Sequence, residues 1–343
     1  MRGFKVIEVT ESIDRDKWED FVSRHPEGNI FQTCAMADVY RSTRNYEPIS
    51  LAAVEQGSGE ILAVLQAVII RDAPGLVGSI SSRSIINGGP LFVEGKRGFE
   101  ALEKMLSYYE KFLHNRAIYT QIRNYFDTEN SKTTLDSLGY QYEPHLNYLI
   151  NLNRPAKEIW GDIHKPRRKG INRAEKIGIE VRKIESRNEI KDCYKIIEET
   201  YKNVRLPLAD ISLLESAYDR LYSSELIDFY LVTMEGEVVG SRVVLKYQGF
   251  VHDWYAGSKQ EINYVNEAVV WHMLSEYAGK EKVFDFGGAG HPDKPYGVRE
   301  FKKRFGGEEV NFGRYEKVHD RSKKELLNLG FKAYKKLNLA RVL

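Results

Sequence analysis

The chain has 343 residues, more than a single hydrophobic core usually supports, so two domains are expected. Its 42% hydrophobic and 29% charged residues, with a net charge of +2, describe an ordinary soluble globular protein. No run of about 18 apolar residues occurs, which excludes a membrane-spanning helix. The two cysteines, Cys34 and Cys193, are too few and too far apart for a disulfide framework or a zinc site.

The opening segment MRGFKVIEVTESIDRDKW lacks an apolar core and carries acids early, so no export signal is read and a cytoplasmic location is expected. Trp18 to His25 and Cys34 to Arg41 read as helices. Leu51–Val54, a Gly57–Glu60 turn and the apolar run Ile61–Ile70 form a β-hairpin pattern. Ser82 to Phe92 holds an Asn87-Gly88-Gly89-Pro90 turn. Gly98 to Arg116 is an amphipathic helix, with Leu102, Met105, Leu106, Tyr109 and Phe112 on one side, and Ile118 to Ile122 is a strand.

The second half repeats this scheme. Tyr148–Leu152 reads as a strand and Pro155 to Ile163 as a helix; Lys191 to Tyr201 and Ile211 to Leu221 are further helices. A second hairpin runs from Phe229–Val232 through Glu235-Gly236-Glu237 to Leu245, followed by a strand at Gly249–Ala256 and a helix at Asn266–Ala278. In both hairpins Gly-Glu precedes two apolar residues and then a small one, which suggests a duplicated unit. Mixed elements in this order favour two α/β (α+β) sandwiches: 1–145, 146–318, and a basic amphipathic tail, 319–343.

Two segments concentrate candidate function. His164 to Lys176, HKPRRKGINRAEK, sets Lys165, Arg167, Arg168, Lys169, Arg173 and Lys176 against one acid, Glu175, a density suited to phosphates. Phe284 to Tyr315 carries a strand, a Gly287-Gly288-Ala289-Gly290 turn and a short helix, Gly297 to Phe305, stopped by Gly306-Gly307. Phe301 and Phe305, four residues apart, share a helix face that can anchor it. Lys302 lies about 100° further round, which suits an ammonium directed into a cleft. His252 and Asp253 adjoin on a strand and face opposite ways, so they form no simple dyad. No Gly-x-Ser-x-Gly, Walker loop, His-Glu-x-x-His or Cys-x-x-Cys motif occurs, and no metal or cofactor is expected.

The motif Asp285-Phe286-Gly287-Gly288 followed by Phe301-Lys302-Lys303-Arg304-Phe305-Gly306 resembles the signature of the Fem family, which transfers amino acids from aminoacyl-tRNA onto peptidoglycan precursors. Three further matches stand in the family's order: Trp18 to Phe31-Gln32, Asn147 to Leu152 with Trp160 and Arg167-Arg168, and Tyr255-Ala256-Gly257-Ser258. The resemblance implies two GNAT-like acyltransferase domains in tandem with a cleft between them. It implies Lys302 as the catalytic group, stabilising an oxyanion or binding phosphate, and Tyr255, Phe301, Arg167 and Arg168 as substrate contacts. Asp285 is expected to order the glycine turn.

The expected reaction joins an amino acid from aminoacyl-tRNA to an amine of a nucleotide- or lipid-linked cell-wall or cell-surface precursor. The alternative is a GNAT-type N-acyltransferase using acyl-CoA or another thioester on an amino sugar or surface polymer. Such enzymes show a glycine-rich pyrophosphate loop at a helix start. After the third strand of the second half, Gly257 to Asn263 offers none. Asp38, Asn124 and Ala209 stand where members with nucleotide-linked acceptors have lysine, aspartate and arginine. The tail, with Leu327, Phe331 and Tyr334 at helical spacing, suggests peripheral contact with an anionic membrane surface.

Overall fold

The computed structural model describes residues 6–71, 82–327 and 329. The chain forms two units, Met1–Glu143 with Phe312–Leu343, and Pro144–Asn311. In the first, strands run β1 (Ile7–Thr10), β2 (Tyr46–Glu55), β3 (Ile61–Ile70), β4 (Arg83–Asn87), β5 (Leu91–Phe92), β6 (Tyr119–Arg123) and β7 (Gln141–Glu143). The second holds β8 (Asn147–Asn151), β9 (Ile179–Lys183), β10 (Ile227–Met234), β11 (Glu237–Tyr247), β12 (Phe250–Ser258), β13 (Val283–Gly288) and β14 (Glu308–Val310). The chain then returns to the first sheet as β15 (Arg314–Val318).

The two sheets have one topology. The first is ordered β1-β2-β3-β4-β6-β15-β7, with β5 on β3, and the second β9-β10-β11-β12-β13-β8-β14. Matched along these orders, the pairings agree in sense: β4·β6 and β12·β13 are parallel and their neighbours antiparallel. The hairpins β2–β3 and β10–β11, which share their turn chemistry in sequence, occupy equivalent places. Each sheet takes its sixth strand from chain leaving the other unit.

Residues 312–318, grouped by sequence with the second domain, instead belong to the first unit. Tyr315 is 1% exposed in the first core, and its ring meets Tyr142 of β7 with 5.3 Å between centroids. Burial of that ring between β6 and β7 gives β15 its place. The tail is helical from 321 to 327; the remainder of the expected amphipathic stretch, with Phe331 and Tyr334, lies outside the described residues.

Alternation along β10 and β11 feeds two layers of the second unit. Tyr230, Val232 and Val244 join a core with Val265, Val269, Val270, Met273 and Leu274 of the helix Val265–Tyr277. Phe229, Leu231, Val243 and Leu245 are buried on the opposite face. There the helix Ile190–Val204, which buries Ile190, Cys193, Ile196 and Ile197, meets the sheet. It comes so close that a Cβ on Gly257 would lie 2.6 Å from Ile197 Cα. The glycine of the Tyr-Ala-Gly-Ser segment is therefore a packing requirement.

Candidate functional site at a parting strand pair

The parallel partners β12 and β13 stay together for only three registered pairs, Phe250↔Val283, Val251↔Phe284 and His252↔Asp285. Beyond them β12 continues to Ser258, with a register shift against β11 between Val243 and Val244 that leaves Trp254 as the bulged residue. On the other arm, Gly287 turns away with φ +69°. A fork results at the carboxyl ends of the two strands, where ligands bind in open α/β sheets.

Charged groups line this fork, almost all of them buried. Asp285 accepts from Asn147 Nδ2 at 2.5 Å, from the Gly287 N–H at 2.8 Å, and pairs with His252 Nδ1 at 3.1 Å. Burial opposes its ionisation, but His252 and these donors hold its pKa below the ordinary value. The expected structural role of Asp285 in the glycine turn agrees with this bonding. Asp253, on the other face of β12, pairs with Arg242, whose second nitrogen donates to Asn266 Oδ1 at 3.1 Å. The Arg242 and Asp253 side chains are 8% and 4% exposed. Burial raises the Asp253 pKa, against the pull of Arg242 and Lys302.

Lys302 differs from the expectation of an ammonium in a wet cleft. It is 8% exposed, and Nζ donates to the carbonyls of Phe286, Gly287 and Gly288 at 2.6, 3.1 and 2.9 Å. An ammonium has three donors, and all three are committed to the end of β13. Burial lowers its pKa to about 8, while Asp253 and Asp285 oppose the fall. Phe305 fixes the helix Gly297–Lys303 from behind: it is 1% exposed, with its ring 5.7 Å from Phe286 and 5.2 Å from Phe301. Gly307 ends the segment at φ +89°, where a Cβ would lie 2.6 Å from the Leu149 carbonyl oxygen.

The substrate-contact candidates separate. Arg167 joins Phe301: its guanidinium lies 4.2 Å from that ring's centroid and pairs with Glu267. Its side chain is 11% exposed, and burial lowers its pKa against the pull of Glu267. Arg167 is thus a clamp between two helices, not a free cation. Arg168 donates to the carbonyls of Trp160 and Gly161 at 3.2 and 3.3 Å, capping the preceding helix. Tyr255 stands on the β12 arm, half-buried, with ring centroids of Trp254 and Tyr201 at 5.0 and 6.0 Å. Arg242 carried no signal in sequence, Asp253 was read only as half of no dyad and Asn147 only as part of a strand, because separate strands bring them together. The only signal was an acid inside each of two apolar strands, at Asp253 and Asp285. Both thiols are pushed up to about 12 chiefly by burial, as suits packed cysteines rather than nucleophiles.

The helix Val265–Tyr277 begins at the end of the β12 arm. Its first turn carries Glu267, and a Cβ on Gly170 would lie 3.2 Å from the Tyr264 ring and 3.3 Å from Glu267 Cγ. The helix Lys165–Lys176 therefore packs directly over this helix start.

Residues 164–303 match the family model of the acetyltransferase (GNAT) domain. No curated protein matches the chain by sequence. Among solved structures it is similar to FemX, with a TM-score of 0.68 at 16% identity, covering 93% of this chain and 99% of that one. It is similar to L-PGS from Bacillus licheniformis, with a TM-score of 0.58 at 14% identity over 95% and 98% of the two chains. A tandem GNAT protein from the clavulanic acid biosynthesis pathway gives 0.58 at 9% identity over 91% and 98%. The fold is a tandem of two GNAT-like units similar to that of FemX, and the second unit carries the residues that match the GNAT domain.

Proposed function

We propose that the protein is a Fem-like aminoacyltransferase. It would join an amino acid, carried as the ester of a tRNA, to an amine on a cell-wall or cell-surface precursor. One observation carries this choice of donor. The helix start after β12, where an acyl-CoA enzyme cradles pyrophosphate on bare amides, carries the Glu267 carboxylate and lies under the helix Lys165–Lys176. A carboxylate held there by Arg167 already complements that helix dipole, and no glycine-rich loop precedes it to cradle a diphosphate. The likeness to the solved structures of FemX and L-PGS supports the reading.

The reaction needs no ATP, because the ester is already activated. The acceptor nitrogen attacks the ester carbonyl, a C–N bond forms, and the ribose oxygen leaves with the proton that the amine loses. The developing oxyanion would lie at the fork. There β12 beyond His252 has no registered partner in β13, and its backbone N–H groups can donate. Lys302 would set the angle of the opposite arm through its three carbonyl bonds and add a positive field. Tyr255 and Phe301 would line the approach from either arm. Asp38, in place of the family's lysine, is held by Arg15 at 2.8 Å and by Arg41, so acceptor recognition falls to other groups.

The test is to incubate the protein with total tRNA charged with labelled amino acids and follow loss of label with and without candidate amine acceptors. Transfer from tRNA is expected. The second reading, an N-acyltransferase using acyl-CoA, draws on the acetyltransferase family match. Tight acetyl-CoA binding by calorimetry, with no discharge of any charged tRNA, would select it and overturn the first.

A further inference from the structure

The helix Lys165–Lys176 divides its cations between two faces. At about 100° per residue, Arg167 falls among the buried Gly170, Ile171 and Ala174. Lys165, Lys169 and Lys176 fall within about 40° of one another on the opposite side, with Arg173 beside them. All four are exposed, and among the described residues none has an ion pair. Lys303 and Arg304 extend this surface: both are exposed, and the His164 N–H donates to the Arg304 carbonyl at 3.0 Å.

Local helix physics opposes the arrangement. The first turn holds Lys165, Arg167 and Arg168 with no acid, at the positive end of the dipole, and His164 makes no side-chain cap. Lys165 with Lys169, and Lys169 with Arg173, set like charges at i,i+4. Tertiary contacts hold the helix instead, through Gly170 against Tyr264 and Arg167 against Glu267. A row of unneutralised cations kept against these preferences suits a polyanion.

We propose that Lys165, Lys169, Arg173 and Lys176, continued by Lys303 and Arg304, form the surface that docks the phosphate backbone of the RNA donor. Successive i,i+4 positions lie about 6 Å apart and the row spans about 16 Å. An anionic membrane is the poorer match, since an interfacial helix inserts an apolar face and this one has buried its own in the core. The row ends beside the helix that carries Lys302, so RNA lying along it would present one end to the fork. The identity of the RNA as amino-acid donor rests on the function proposed above.

The test measures binding of a fluorescent RNA hairpin with a single-stranded 3′ end, by anisotropy, across a salt series. Changing Lys165, Lys169, Arg173 and Lys176 together to Gln should reduce the log K against log salt slope by about one for each cation removed. Lys96, Lys104, Lys111 and Lys132 changed together to Gln give an equal loss of charge elsewhere and should leave the slope unaltered. Circular dichroism establishes that each variant is folded. An unaltered slope and affinity in the Lys165 group variant overturns the proposal. So does a result in which that variant loses only sedimentation with phosphatidylglycerol vesicles. Charged-tRNA discharge separates this inference from the function: RNA docked on the row without transfer refutes the function alone, and transfer undiminished in the variant refutes the row alone.

Discussion

The two units solve the same structural problem with different chemistry. Each centres on a parallel strand pair, yet β4 and β6 remain registered for five pairs, Arg83↔Tyr119 to Asn87↔Arg123, whereas β12 and β13 part after three. In the first unit uncharged amides close the end. Gln32, fully buried, donates to the Asn87 carbonyl at 2.8 Å and accepts from the Gln66 N–H at 2.9 Å, while Asn29 donates to the Gly88 carbonyl. In the second, an ammonium and two buried carboxylates hold the arms. A neutral plug satisfies backbone groups at any pH and has no proton to exchange. A buried lysine whose pKa lies near 8 makes the geometry of the fork sensitive to protonation.

Five substitutions break or sharpen this contrast. Phe305→Ala removes the ring that seats the Lys302 helix and should destabilise the second unit by about 3–5 kcal/mol, read by hydrogen exchange of β8 and β13 amides. Phe301→Ala should cost less, because that ring is only half-buried. Equal losses from the two would mean that Phe305 has no special anchoring role.

Lys302→Met strands three carbonyls and should cost about 2–4 kcal/mol in denaturant titration. Turnover at saturating substrate should fall on the order of 10² as the fork loses its set angle. Full turnover with unchanged stability would reduce the lysine to a bystander. Gln32→Ala is the matched change in the first unit. It should cost about 1–3 kcal/mol and leave turnover per folded molecule unaltered; a loss of turnover like that of Lys302→Met would erase the distinction between the units.

The smallest effect on turnover is a shift in pH dependence, read through Asp253→Asn, which also destabilises the fold by leaving the buried Arg242 guanidinium without its carboxylate. Asp253 raises the Lys302 pKa, so its removal should move the alkaline limb of the rate–pH profile, which begins near pH 8, to lower pH. A limb that stays in place would uncouple Lys302 from that network. Linkage gives a companion sign. Because the folded pKa of Lys302 lies below its unfolded value of 10.5, the unfolded chain binds more protons between about 8 and 10.5. The Lys302 contribution should therefore raise stability with pH across that window, and Lys302→Met should lose the rise.

Much was legible in sequence because it depends on local spacing. The interval of four between Phe301 and Phe305 put both rings on one helix face, and Gly306-Gly307 marked its end. The matching hairpin turns pointed to two similar sheets. Tertiary structure alone decided the partners of the charges. Strand alternation separated His252 from Asp253, yet nothing in the chain near either indicated that Asp285 and Arg242 would face them from other strands. Six cations within one short segment read as a single patch, while helical geometry turned Arg167 inward to Glu267 and Phe301 and left Lys165, Lys169 and Lys176 outside. Lys302 was identifiable from its motif, but its environment depended on where β13 carbonyls ended, and that follows from the point at which two distant strands part. Spacing fixes which face a side chain takes; burial and charge pairing depend on segments brought together only by folding.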